Sequence, residues 1–205
     1  MMIPRTISMT EYDRVIEVLA TAFENDPLWQ YLVPDLARRR IVIRKFFRVG
    51  FRLSVAAGQA YGVGEPLTGV AVWSLPQRQR ANPLIVLNGD LLALIFSSGV
   101  GAIAKAAPIF SQFDRLHTTY APEQPQYYLN SIGVLPEAQG KGLASQLIKP
   151  FLEQADKEGL SAYTETMTPS NVPIYEHYGF KVMEEYRVPQ TDLAIWSLYR
   201  ARCIT

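Results

Sequence analysis

The stretch "NSIGVLPEAQGKGLASQLI", residues 130–148, constrains this chain more than any other. It passes from an alternating, β-like pattern through a Pro turn into a helical pattern, and two glycines around Lys141 mark the corner. A strand that stops at Val134 and a helix that enters near Gly142 aim free backbone N–H groups and the positive end of the helix dipole at one place. Glycine removes the Cβ atoms that would hold an anion's oxygens away. Lys141 can add a charge and Gln139 a donor. The corner therefore suits a phosphate or diphosphate, although a bare structural turn explains the spacing as well. A Walker loop would need glycine at 135 and Ser or Thr at 142, where the chain has Leu135 and Gly142. A dinucleotide fingerprint would need Gly or Ala at 145, directly after a strand, and the chain has Ser145 after a long turn.

The rest of the chain supplies a mixed frame around this corner. "IPRTISM" can pair as a strand, and Thr10 offers a cap for a helix carrying Tyr12, Val15, Leu19, Ala22 and Phe23 on one face. "ENDPLWQYLVPD" reads as an aromatic loop broken by Pro27 and Pro34. A second helix from about Asp35 into "SVAAG" has Val42, Phe46, Val49 and Leu53 as its apolar stripe. Opposite them stand Arg40, Arg44, Arg48 and Arg52, either a solvated face or a partner for acidic groups. "QAYGVGEP" and "LTGVAVWSLP" read as strands joined by a Gly/Pro turn. Helical segments around 83–118 are separated near "SSGVG" and before Pro108, and are too apolar for a one-sided surface helix, so they are either deeply packed or line an apolar pocket. "YYLNSIGV" is a strand, followed by a helix with Leu143, Leu147, Phe151 and Ala155 on one face, which Pro150 should kink. "LSAYTETM" is a strand, "NVPIYEHY" a short helix capped by Asn171, and "FKVMEEYRV" and "LAIWSLY" two more strands. The expected class is α/β or α+β, with residues 1–205 forming one domain.

Composition excludes several chemistries. Lys plus Arg number 20 and Asp plus Glu 19, a balance that points to no nucleic acid. Cys203 is the only cysteine, so an intrachain disulfide and Cys-rich zinc motifs are ruled out. His117 and His177 are the only histidines and leave little for a metal centre, so no metal is expected; both read as surface or packing residues. No apolar leader opens the sequence, and only 14 uncharged residues separate Asp90 from Lys105, short of the roughly 18 needed to span a bilayer. A soluble, cytoplasmic chain without membrane partners is the expectation. A homodimer is left open.

"GVLPEAQGKGLASQLI" resembles the acetyl-CoA-binding motif of the GNAT superfamily of acyltransferases, and "NVPIYEHYGF" resembles the family's second signature. The two lie in the family's order and spacing over roughly residues 127–187. "LIKPFLEQADKEGLSAYTETMTPSNVPIYEHYGF" is similar to the puromycin N-acetyltransferase branch, which "LATAFENDPLW" and "GVAVWSLP" echo more weakly. Residues 80–120 show no match. The resemblance implies a mixed, mainly antiparallel central sheet flanked by helices, with acetyl-CoA as co-substrate. It implies that Gln139, Gly140, Lys141, Gly142, Leu143 and Ala144 hold the diphosphate. The main chain around Ile132, Gly133 and Val134 would pair with the pantetheine arm as an added strand. An N–H there would stabilise the oxyanion. Asn171 would contact the cofactor arm, and Tyr175 would protonate the leaving thiolate.

The base is less clearly marked. Asn130 and Ser131 stand where some relatives carry an acid, which leaves Glu165 as the nearest acidic candidate, with a structural role beside it. Trp29 and Tyr31 could cover the acceptor or pack in the core; Tyr178 reads as structural. Cys203 is not expected to be a nucleophile, because the family transfers the acyl group directly. The expected activity is acetyl transfer to a primary amine of a small molecule, puromycin-like or another xenobiotic amine. The alternatives are acetylation of protein lysines or N-termini, and a coenzyme-A-binding sensor without catalysis.

Overall fold

The computed structural model describes residues 4–56, 59–76, 89–122 and 126–203. Seven strands form one sheet in the order β1-β2-β3-β4-β5-β7-β6. They are β1 (Arg5–Thr6), β2 (Ala60–Val63), β3 (Gly69–Ser74), β4 (Tyr127–Val134), β5 (Ala162–Thr166), β6 (Lys181–Arg187) and β7 (Ala194–Arg200). Every neighbouring pair is antiparallel except β4 with β5. This is the mixed, mainly antiparallel sheet that the resemblance implied.

Two irregularities in β4 shape the centre of the sheet. Val72 faces Ser131 and Trp73 faces Leu129, so Asn130 is an extra residue, a bulge that bends the strand. The parallel pairing with β5 covers only Tyr127–Leu129 against Ala162–Thr164. Beyond Leu129 the two strands part, and the last five residues of β4 lose β5 as a neighbour.

Helices cover both faces. On one side lie α1 (Tyr12–Ala22), α2 (Pro27–Leu32), α3 (Leu36–Ala56) and α4 (Gly89–Tyr120); on the other, α5 (Leu143–Glu158) and α6 (Val172–His177). Two apolar clusters follow from this layering. Val15, Leu19, Ile43, Phe51 and Val70 centre the first, and Trp73, Leu129, Leu147, Phe151 and Leu198 the second. The indole of Trp73 donates to the Leu147 carbonyl at 3.0 Å and ties β3 to α5.

Several sequence expectations change. The segment read as an aromatic loop contains α2, whose N-cap Asp26 accepts from the Leu28 N–H at 3.0 Å and whose first residue is Pro27. Both are strong helix-start signals. Asp26→Ala is expected to lower stability by about 1 kcal/mol, measured as a fall in the urea midpoint. Thr10 does not cap α1; its hydroxyl meets Ser8 at 2.6 Å, and α1 begins after Glu11. The buried face of α3 is Val42, Ile43, Phe47 and Phe51, rotated from the expected stripe, with Phe46 half-buried at its margin. The arginines meet α1 in reverse order: Arg40 pairs with Glu24 at 2.7 Å, Arg44 with Glu17 at 2.8 Å, and Arg48 with Asp13. Exposed pairs of this kind each contribute little, about 0–1 kcal/mol, so their effect is to fix the register of two helices.

The helical segment expected from residue 83 lies outside the described residues up to 88. α4 breaks at Gly99 (φ 73°, ψ 155°), as the "SSGVG" stretch suggested, but runs on through Pro108. α5 likewise runs as one helix through Pro150. Over Leu91–Tyr120, α4 is long and apolar enough by length and composition to cross a membrane, with a mean hydropathy of 1.6 in its most apolar window. The expectation counted only the uncharged run; the helix as a whole passes the length test. Its Phe96 and Val100 are 83% and 85% exposed.

Candidate active site

The glycine corner takes the form its sequence suggested. Gly140 and Gly142 both have φ of 75°, the left-handed region that side chains strain to adopt. A Cβ at either would meet no atom within 4 Å, so conformation, not crowding, requires glycine here. Gly142 is the N-cap of α5 and has no side chain with which to cap it; the first intrahelical bond joins Gln146 N–H to Gly142 C=O. The first-turn N–H groups, together with the dipole of a 16-residue helix, face the corner unsatisfied by the chain.

A cavity of about 430 Å³ opens in front of these groups. Its walls include Ile132, Gly133, Val134, Gln139, Gly140, Gly142, Leu143 and Ala144 from the corner, and Asn171 and Tyr175 from beside α6. A ligand with a diphosphate fits this donor set, because an anion needs the open N–H groups and the missing Cβ atoms. Lys141 is placed differently. It does not line the cavity, and its ammonium donates to the Glu137 carbonyl at 3.0 Å, within its own turn. Gln139 donates to the Val134 carbonyl at 3.1 Å, holding the loop against the strand end. Gly133 has a packing reason of its own: a Cβ there would stand 2.8 Å from that of Ala22 on α1.

A second cavity, of about 400 Å³, lies where β4 and β5 part. It shares Ile132, Asn171 and Tyr175 with the first, so the two meet at Tyr175. Asn171 does not cap α6 through its side chain; its amide donates to Thr166 Oγ1 at 3.3 Å and stays at the junction. Tyr175 is buried and packs edge-on against Phe180. Burial pushes its phenol up to about 12, against a pull from the Thr164 hydroxyl, so it stays protonated at neutral pH.

Glu165 lines the second cavity, and its carboxyl is pushed up to about 7, chiefly by burial. The Tyr128 hydroxyl donates to its Oε2 at 2.7 Å and opposes that shift, while the nearby charge of Asp114 adds to it. A carboxyl that titrates near neutrality can take a proton from an arriving ammonium group. His117 stacks between Tyr128 and Tyr163, with ring centroids 4.6 and 5.0 Å away, and so packs the back of this group.

Of the two aromatic residues suggested for the acceptor, Trp29 lines the second cavity, buried, with its ring edge-on to Phe46 at 4.8 Å. Tyr31 does not line it; Lys105 sits over its ring, 4.9 Å from the centroid. Sequence reading missed Asp26, Asp114 and Tyr128. Tyr128 alternates with the buried Tyr127 along a strand ending at the motif, and that period-two pattern was a usable signal. Asp114 sits on a helix without a motif and carried none. Asn130 is turned to Ser74 Oγ, 2.9 Å away, and supplies no base.

With the geometry in place, three comparisons bear on the chain. Residues 117–190 match the acetyltransferase (GNAT) domain family. An uncharacterized N-acetyltransferase of Schizosaccharomyces pombe is 27% identical over 188 residues, covering 87% of this chain and 74% of that protein. A probable serine/threonine-protein kinase of Dictyostelium discoideum is 21% identical over 193 residues, but the chain spans only 20% of its length. Among solved structures, a protein from Corynebacterium glutamicum described as histone acetyltransferase HPA2 and related acetyltransferase superposes with a TM-score of 0.64 at 19% identity. It covers 100% of this chain and 99% of that one. A polyamine N-acetyltransferase of Drosophila melanogaster gives 0.64 at 12% identity, covering 97% and 99%. PaiA N-acetyltransferase from Thermoplasma acidophilum, solved with coenzyme A, gives 0.56 at 13% identity, covering 97% of each chain. The matched segment spans the corner, Glu165 and Tyr175: over residues 117–190 the chain is similar to the GNAT acetyltransferases, and over its full length it has their fold.

Proposed function

We propose that the chain transfers the acetyl group of acetyl-CoA directly to a primary amine of a small molecule. The observation that carries this reading is the junction of two cavities at Tyr175, one backed by the α5 N-terminus and one lined by Glu165. The corner main chain and the first turn of α5 bind the diphosphate. The open edge of β4 beyond Leu129 pairs with the pantetheine arm and brings the thioester to Tyr175. Glu165 takes a proton from the ammonium group, either directly or through one water, and frees the lone pair. The amine nitrogen then attacks the thioester carbon, and the C–S bond breaks as the tetrahedral intermediate collapses. Tyr175 donates its proton to the sulfur, the nitrogen sheds its second proton through solvent to restore the phenol, Glu165 returns its proton to solvent, and the products are an amide and a free thiol. A main-chain N–H of Ile132 or its neighbours faces the oxyanion.

An acceptor held inside a walled cavity favours a free small molecule over a lysine on a protein surface. Relatives of this fold, the Drosophila polyamine enzyme among them, are described as acetylating small amines. Puromycin is a rational first acceptor because the α5–α6 sequence resembles that branch. The test is thiol release from acetyl-CoA against puromycin, arylalkylamines, polyamines and lysine peptides. Turnover confined to small amines supports the proposal; turnover confined to peptides replaces it with a protein acetyltransferase. Coenzyme A binding without any turnover would leave a sensor. The corner has its own test. Gly142→Val forces a branched residue into the left-handed region, at a cost of roughly 1–3 kcal/mol. Its calorimetric Kd for coenzyme A should rise at least about tenfold, with the fold intact by circular dichroism.

A further inference from the structure

Beyond the acceptor cavity lies a third, of about 290 Å³, between α2, α3 and α4. Trp29, Phe46 and Phe110 belong to both, so the two spaces are separated only by aromatic rings. These rings form the shared wall: Trp29 lies edge-on to Phe46 at 4.8 Å, and Phe46 stacks on Phe110 at 6.1 Å. Past them the wall is aliphatic, with Val42, Leu94 and Ile103, and Ser98 as the one hydroxyl among the described residues. Two small residues on α4, Ala102 and Ala106, leave the space open where larger side chains would close it. The acceptor cavity itself carries Asp26, Asp114 and Glu165 and, among the described residues, no Lys, Arg or His.

Resting on the acetyltransferase reading above, we propose that the acceptor is an amphiphilic cation, an amine on an extended apolar body that threads between the aromatic rings into this chamber. The charge pattern selects the head group, because three carboxyl groups with no cation among the described residues favour an ammonium ion over an acidic molecule. The chamber selects the tail. An apolar cavity of about 150 Å³ already holds benzene, so this one has room for about two fused rings or a medium alkyl chain. Water gains almost no hydrogen bonds from such walls, and displacing it favours an apolar occupant. The chamber shares its wall of Trp29, Phe46 and Phe110 with the site at which the amine must react, which makes the acceptor's own tail the occupant. A side chain from a second copy would instead block it.

The experiment is a homologous series of n-alkylamines from butylamine to decylamine, together with phenylalkylamines, in the thiol-release assay. In the wild type kcat/KM should rise about fourfold for each methylene that enters the chamber, then level off. Ala106→Phe and, separately, Ala102→Phe should flatten the series. Butylamine should keep its rate, while the longest productive amines lose at least about tenfold. Calorimetric binding of octylamine to the wild type and to both variants is measured alongside. Octylamine binding that Ala106→Phe abolishes, with no amine turned over, would uphold the chamber and sink the activity. Rates that ignore chain length, an equal loss for short and long amines, or octylamine binding unchanged in both variants would overturn the proposal.

Discussion

On the proposed mechanism, Tyr175→Phe is expected to lower kcat about a hundredfold and to leave KM for both substrates within about a factor of two. The phenol contributes only when negative charge develops on sulfur, so its loss should fall on the transition state and not on ground-state binding. Phenylalanine keeps the edge-on contact with Phe180. The Thr164 hydroxyl still donates to the Leu129 carbonyl at 3.0 Å, so no buried donor is stranded. Thermal stability should therefore move by no more than about 0.5 kcal/mol. A variant with full kcat would remove Tyr175 from the chemistry and leave the thiolate to be protonated by water. Because burial pushes the phenol up to about 12, the wild-type rate should show no loss from Tyr175 ionisation below about pH 10.

The second large effect belongs to Glu165. Its carboxyl titrates near 7, so kcat/KM should fall tenfold per pH unit below that value and level off above it. Glu165→Gln should cut kcat/KM at pH 8 by about a hundredfold and remove that acid limb. Glutamine retains an oxygen for the Tyr128 hydroxyl, so the pocket is preserved. Stability moves in the opposite direction. The folded pKa stands above the ordinary value of 4.5, so the folded state holds its proton more tightly than the unfolded chain. The stabilisation is complete below about pH 4.5 and is lost as pH rises through 7. Glutamine has no charge to bury. Relative to the wild type, the variant should gain on the order of 3 kcal/mol between acid and pH 8. Denaturant unfolding at pH 5 and pH 8 measures this. A rate lost without a change in pH profile would make Glu165 a positioning residue for Tyr128.

How much could be read in advance follows from whether the signal was local. The corner at 139–142 and the strands either side of it were legible because glycine, proline and period-two alternation act within a few residues. Asp26-Pro27 carried an equally local helix start, and the aromatic density of "PLWQYL" hid it. The pairing of α1 with α3 was half legible. The arginine spacing showed a face, but its meaning needed Asp13, Glu17 and Glu24 read in reverse against Arg48, Arg44 and Arg40. The acceptor cavity was the least legible. It gathers Trp29, Phe46, Asp114, Tyr128 and Glu165 from five elements, and no spacing in the sequence encodes which of them will meet. The cofactor-side residues that resemblance supplied line one cavity and Glu165 lines the other; the exception is Lys141, whose charge suggested a phosphate ligand and whose geometry makes it a brace for its own turn.

The parting of β4 from β5 has a mechanical meaning as well. Three residue pairs are all that join the four-stranded half of the sheet to the three-stranded half across that seam. The sheet is shaped like a bivalve whose halves meet at Tyr127–Leu129, and on the proposed function its gape is the reaction site. Whatever lies along the free edge of β4 becomes an eighth strand, shared by both valves. Substrate binding and structural completion are then one event: amide protons on either side of the seam should exchange more slowly together, in proportion to how fully the gape is filled.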